Sequence, residues 1–329
     1  MIRLRKNHNS DEPRHEAFLP ILLSALCMLV ALMSLIIDRF IFPFGSELLS
    51  PAIAQIVILL LPSYLYLLLT KPHKSLFNQM TDIGMGRIKA DGVFLIIFAT
   101  AFMISSSLLL NILFGGVYSA AEGFSILGGF IAGKNEYTVS YPYLIAVYAI
   151  IPALCEEFIF RGIIFSELAR VNEPFAAVMS SIISACFAFT LGGIPAAILC
   201  GVTYCFVLHT THSLQACMII HFLFNLFGIF CGTNIYGYFL SSQNNTLLIT
   251  VLIIAWLISC SLFFGELCKI YRKRSVYISK SEAKTSLPEV KPHKLLEEIR
   301  NAVLFKPTFI ILLVFVAIYI TTMIILFTI

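Results

Sequence analysis

Three ionisable side chains stand in a stretch that is otherwise apolar: Leu154-Cys155-Glu156-Glu157-Phe158-Ile159-Phe160-Arg161-Gly162. At hydrocarbon depth each such side chain costs about 2.5–3.5 kcal/mol at a helix centre, so it faces a water-filled cavity or a partner. Glu157 and Arg161 are four residues apart, share a helical face and can pair. Glu156 points about 100° away from that face, and no second cation lies nearby in sequence. An unpaired carboxylate in a poorly solvated helix is a candidate general base. The structural alternative is a buried ion-pair staple; for Glu157 and Arg161 it is compatible with a supporting role in catalysis.

A second pair of polar groups lies in His221-Phe222-Leu223-Phe224-Asn225. His221 and Asn225, at i and i+4, present two hydrogen-bonding groups on one face of an apolar helix. At 1.5 Å rise per residue, Glu156 lies about 20 Å inward from Tyr143, hence about 10 Å above the cytoplasmic boundary, and His221 about 12 Å from Ser213 on that boundary. The similar depths permit the two to meet. Alone, a His–Asn pair is also a helix–helix clasp of the kind membrane bundles use.

The elements that must position these residues are apolar blocks of about 20 residues, the length that crosses a hydrocarbon core of about 30 Å. The chain is 59% hydrophobic and 12% charged, against about a quarter charged in soluble domains. Spans are predicted at roughly 18–37, 51–70, 93–115, 143–168, 175–190, 195–209, 213–230, 247–264 and 308–329. The fifth and sixth are short and are separated by the breaker cluster Leu191-Gly192-Gly193-Ile194-Pro195, which reads as a tight turn. With the N-terminus inside, inner segments hold nineteen Lys and Arg and outer segments only Arg39 and Lys134, which fixes the orientation. The fold class expected is an all-α polytopic transmembrane bundle of about nine spans, with the C-terminus outside and the cell membrane as its place. Three regions follow: 1–142, a 143–230 core, and 231–329 with a basic cytoplasmic linker at 265–307. Residues 1–17 lead into an apolar run without a small-x-small cleavage pattern, which reads as an anchor helix. The amphipathic sets Leu76, Phe77, Met80, Ile83 and Leu295, Leu296, Ile299, Val303 read as basic segments lying along the inner leaflet, so their charge points to membrane lipid and not to nucleic acid. The nine cysteines show no CxxC spacing and read as buried structural thiols.

These residues resemble the CPBP intramembrane endopeptidases (CAAX prenyl protease 2, lysostaphin resistance protein A-like, or Abi proteins). Glu156, Glu157 and Arg161 meet the EExxxR pattern, and His221 and Asn225 meet HxxxN, preceded by Thr211-His212-Ser213-Leu214 where the family has a T-G-S-L turn. The resemblance covers about 145–228. It implies that Glu156 activates the attacking water, that Glu157 and Arg161 organise the site, and that His221 and Asn225 stabilise the oxyanion. There is one departure. The family's intervening FxxxH falls on Phe187-Ala188-Phe189-Thr190-Leu191, so Leu191 stands at the histidine position with Thr190 as the adjacent polar group. His209, the nearest histidine, belongs at the cytoplasmic end of its span.

Two functions follow from this pattern. One is an intramembrane endopeptidase acting on a membrane-tethered peptide or protein, prenylated or leader-type. The other is a catalytically impaired scaffold, regulator or immunity protein on the same fold, favoured by Leu191. A transporter would need charges spread over several helices, whereas here they concentrate in one. No cofactor is expected. A catalytic zinc takes three protein ligands and a water; HExxH is absent, and Glu156, His221 and a poor third in Asn225 are what the sequence offers.

Overall fold

The computed structural model describes residues 23–25, 28, 56–70, 85, 88, 92–113, 141–169, 172–187, 193–232, 235, 238, 245–281, 314 and 317. Among the described residues the chain is helical and contains no strand. A π-helical turn, Ile56–Leu60, leads into α1 (Leu61–Thr70). Helix α2 is Val93–Leu113, and α3 runs unbroken over Tyr141–Leu168. Helices α4 (Glu173–Cys186) and α5 (Ile194–Thr211) precede α6 (Leu214–Phe227), which a π-turn prolongs over Gly228–Gly232. Helix α7 is Thr246–Ser281.

Among the described residues five helices are long and apolar enough to cross a membrane: Val93–Ile112, Tyr141–Leu168, Ile194–Thr211, Leu214–Cys231 and Thr246–Ile270. The chain is a helical membrane protein. The first and last of the nine expected spans fall almost wholly outside the described residues, as do the amphipathic sets at 76–83 and 295–303. The fifth, α4, has 14 residues, about 21 Å of helix, short for a full crossing.

Local chemistry explains where these helices begin and end. The Asn172 side chain caps α4 by accepting from the Phe175 N–H at 2.9 Å, which satisfies one of the orphan donors of a helix start. Proline stands in the first turn of both α4 and α5, where its missing N–H costs nothing. Helix α5 ends on His212, whose φ of 52° and ψ of 33° are left-handed, the conformation that commonly closes a helix. Inside the apolar helices, the Thr100, Thr203, Thr210 and Thr211 hydroxyls donate to carbonyls one turn back, leaving no bare O–H toward lipid.

Two close pairings frame the core. Helix α2 lies along α7, joined by Ser105–Ser259 at 2.8 Å and by the Trp256 indole N–H donating to Ser106 at 3.0 Å. Helices α4 and α5 form the other pair. They touch at Gly201, where an added Cβ would stand 2.7 Å from Ser181 Cβ and 2.9 Å from its Cα.

One helix continues beyond its predicted span. The span predicted at 247–264, with a linker from 265, is a single helix of 36 residues ending at Ser281. Hydropathy falls after Phe264, but 266–281 holds neither Gly nor Pro, and an apolar edge is not a helix stop. At about 54 Å of rise, α7 outreaches the hydrocarbon core and carries Lys269, Arg272, Lys273 and Arg274 in its extension. Glu266 accepts from Lys269 at 3.0 Å there.

Candidate active site

Helix α3 carries Glu156, Glu157 and Arg161, and α6 carries His221 and Asn225; all five are buried. The stretch Phe158–Phe165 of α3 is π-helical, a local widening that recurs at functional sites. Within it the Phe160 carbonyl accepts from the Ser180 hydroxyl of α4 at 2.8 Å. The π-stretch does not separate Glu157 from Arg161, whose Nη1 donates to Glu157 Oε1 at 3.2 Å.

The same Glu157 oxygen lies 2.8 Å from His221 Nδ1. A carboxylate engaged by a guanidinium is an acceptor, so Nδ1 carries the proton and donates. That bond fixes the tautomer: the other ring nitrogen, Nε2, is left facing Glu156, 3.8 Å from its Oε2. Glu157 is thereby committed to two donors, while neither oxygen of Glu156 has a hydrogen-bond partner among the described residues. The two adjacent carboxylates have different surroundings.

Asn225 lies one turn beyond His221, and neither atom of its amide has a hydrogen-bond partner among the described residues. It is buried beside the others without bonding to them. A buried amide with both ends open is costly in an apolar setting. The structure thus brings Glu156, Glu157, Arg161 and His221 into one contact group and leaves Asn225 as a free donor and acceptor on the same helix.

Comparison with known proteins adds one match: residues 138–227 fit the family model described as Type II CAAX prenyl endopeptidase Rce1-like. That segment is similar to the family and agrees with the resemblance carried by its EExxxR and HxxxN residues. No curated protein and no solved structure matches the chain. The Rce1-like segment contains α3 to α6 up to Phe227 and therefore all five residues above. The family supports a CAAX-type intramembrane protease, acting on a peptide or protein.

Around the Rce1-like site stand residues that sequence reasoning missed. Tyr204 of α5 stacks on His221, with ring centroids 5.4 Å apart and planes at 23°. The Arg161 guanidinium lies over the same tyrosine at 4.7 Å. Ser184 of α4 accepts from Arg161 Nη2 at 3.4 Å. A signal for the serines existed: Ser180, Ser181 and Ser184 cluster at helical spacing on an apolar helix. Tyrosine is an ordinary membrane-helix residue, and nothing in its type marked Tyr204. Of the family's middle motif, Phe187 packs on the Phe160 ring at 5.3 Å, while Thr190 and Leu191 lie outside the described residues. His209 stands at the last turn of α5, half exposed, and pairs with Glu173 at 2.9 Å, away from the five.

Proposed function

We propose that the protein is an intramembrane endopeptidase of the cell membrane, in which Glu156 activates water to hydrolyse a membrane-tethered or leader-type peptide. The observation that carries this reading is the asymmetry of the two carboxylates: Glu157 is occupied by Arg161 and His221, and Glu156 is free. A water in front of Glu156 would donate one O–H to Oε2 and the other to His221 Nε2. Its lone pair is then left for the scissile carbonyl carbon. The proton that Glu156 receives passes to the leaving amine, and the C–N bond breaks as general acid–base catalysis requires.

With Nδ1 committed as a donor to Glu157, His221 sides with the water in this scheme. The oxyanion donor is then Asn225, whose amide N–H is unclaimed. One such donor is worth about 10²–10³ in rate. Arg161 and Glu157 hold the His221 ring and touch neither substrate nor water. The chemistry draws on the side chains alone, and no cofactor enters it.

The test is cleavage of a panel of prenylated CAAX and leader peptides by the purified protein in lipid, beside Glu156→Gln. Glu156→Gln keeps the shape and removes the base, so cleavage should fall to background. Equal cleavage by both proteins, or by neither, ends the peptidase reading for those substrates. A second reading, a scaffold that has lost catalysis, is favoured by Leu191 at the family's histidine position.

A further inference from the structure

Tyr204 touches both of the groups that bond to Glu157 Oε1, the Arg161 guanidinium and the His221 imidazole. Its ring face is stacked on His221 at 5.4 Å, and the Arg161 guanidinium lies 4.7 Å from its centroid. The residue is buried, with 3% of its surface exposed. It comes from α5, a helix that supplies none of the five residues of the site. Its depth suits the role: Tyr204 is seven residues before Thr211, and His221 is seven after Leu214, about 10 Å from the same side of the bundle in each case.

The hydrogen bonds alone leave freedom that this ring removes. The His221 Nδ1–Glu157 bond fixes one ring atom, and the imidazole can still pivot about that contact and carry Nε2 away from Glu156. An aromatic face lying 23° from parallel with the imidazole blocks the pivot. Arg161 is similarly held at Nη1 by Glu157 and at Nη2 by Ser184, while its Nε has no partner among the described residues. A π face beneath a desolvated guanidinium supplies attraction that the open Nε–H does not.

We propose that Tyr204 is a positioning residue: an aromatic platform from α5 that fixes the His221 ring and the Arg161 guanidinium together, and so aims Nε2 at the water beside Glu156. The inference rests on the reading of Glu156 as the water-activating base. The ring face, and not the hydroxyl, does the positioning. Tyr204→Phe should therefore keep function, while Tyr204→Leu and Tyr204→Met, which fill the space without a π face, should lose it.

Two readouts on the full-length protein in lipid nanodiscs decide. The first is the state of the His221 ring by ¹⁵N-histidine magnetic resonance, with signals assigned by their loss in His221→Gln. Wild type and Tyr204→Phe should show a rigidly held ring, and the Leu and Met variants a ring that keeps Nδ1 protonated but is motionally averaged about its Glu157 contact. The second is peptide cleavage. Tyr204→Phe should stay close to wild type, and the other two should lose about 10²-fold in kcat with KM nearly unchanged, the pattern of lost transition-state positioning. A His221 ring as rigid as that of wild type in both Tyr204→Leu and Tyr204→Met overturns the platform, as does wild-type kcat in either. Should Tyr204→Leu fail to fold, Tyr204→Met carries the same comparison. A wild type that cleaves no peptide in the panel sinks the peptidase reading, and the ring-state comparison then still decides the role of Tyr204.

Discussion

Glu156 and Glu157 are adjacent on one helix turn, yet their neighbours differ. Glu157 meets a guanidinium and an imidazole N–H through one oxygen, whereas Glu156 meets the far nitrogen of that imidazole at 3.8 Å. The residue at issue for catalysis is Leu191, where the resembled family keeps a histidine. If Glu156 works as a base with one orienting group fewer, Leu191→His should raise the cleavage rate, because a second imidazole would hold the water. If the protein is a scaffold, the same change trades an apolar side chain for a polar one, lowers stability by about 1–3 kcal/mol where that group is buried and creates no activity. The two readings give opposite signs, so cleavage and thermal unfolding of one variant separate them. Charges were legible from the sequence because each is an anomaly in an apolar helix, and so was the Glu157–Arg161 spacing. The His221–Glu157 bond was not legible: the similar depths of α3 and α6 allowed His221 to meet either glutamate, and helix rotation made the choice.

At the scale of elements, the α4–α5 contact sets where Ser184 and Tyr204 stand. A Cβ at position 201 would lie 2.7–2.9 Å from three atoms of Ser181, one of them backbone. Gly201→Ala should therefore push the helices apart at a cost of about 1–3 kcal/mol, and with α4 the Ser184 hydroxyl moves off Arg161. A thermal-unfolding midpoint at or above the wild-type value would count against this. His212 gives the opposite prediction. It holds a left-handed conformation that costs a non-glycine residue roughly 1–2 kcal/mol, at the position where the resembled family keeps glycine. His212→Gly should stabilise the protein, by about 1 kcal/mol once the greater freedom of glycine in the unfolded chain is counted. A lower midpoint would mean that the imidazole contributes more here than the strain it imposes; its ring stands 6.3 Å from that of His209. The start of α5 was readable from the breaker cluster that ends in Pro195. The end of α7 was not, because the reading stopped where hydropathy fell and not where the backbone had a reason to stop.

For the whole molecule, the distribution of charge and the direction of the helices make one argument. Helix α3 enters from its apolar end at Tyr141 and leaves toward Arg170, and α6 starts beside His212 and runs back. The two antiparallel helices carry Glu156 and His221 to the same level only if Leu168 and Leu214 lie on one side, and the 3.8 Å approach shows that they reach it. The positive-inside rule assigns that side to the cytoplasm, since nineteen of the twenty-one Lys and Arg outside the spans lie in segments that share it. The five residues then lie about 10–18 Å from the inner surface. The prediction is a labelling pattern. In a cysteine-free background that keeps its fold, a cysteine at Ser279, in the extension of α7, should react with an impermeant maleimide only after the inner face is exposed. A cysteine at Ser119, in the expected outer loop, should react in intact cells. The reverse pattern would invert the topology and place the site near the outer surface, where a cytoplasmic prenylated or leader peptide could not reach it. Labelling at both positions from one side would break the antiparallel count itself, since an even number of crossings would then separate Ser119 from Ser279, where α3 to α7 make five.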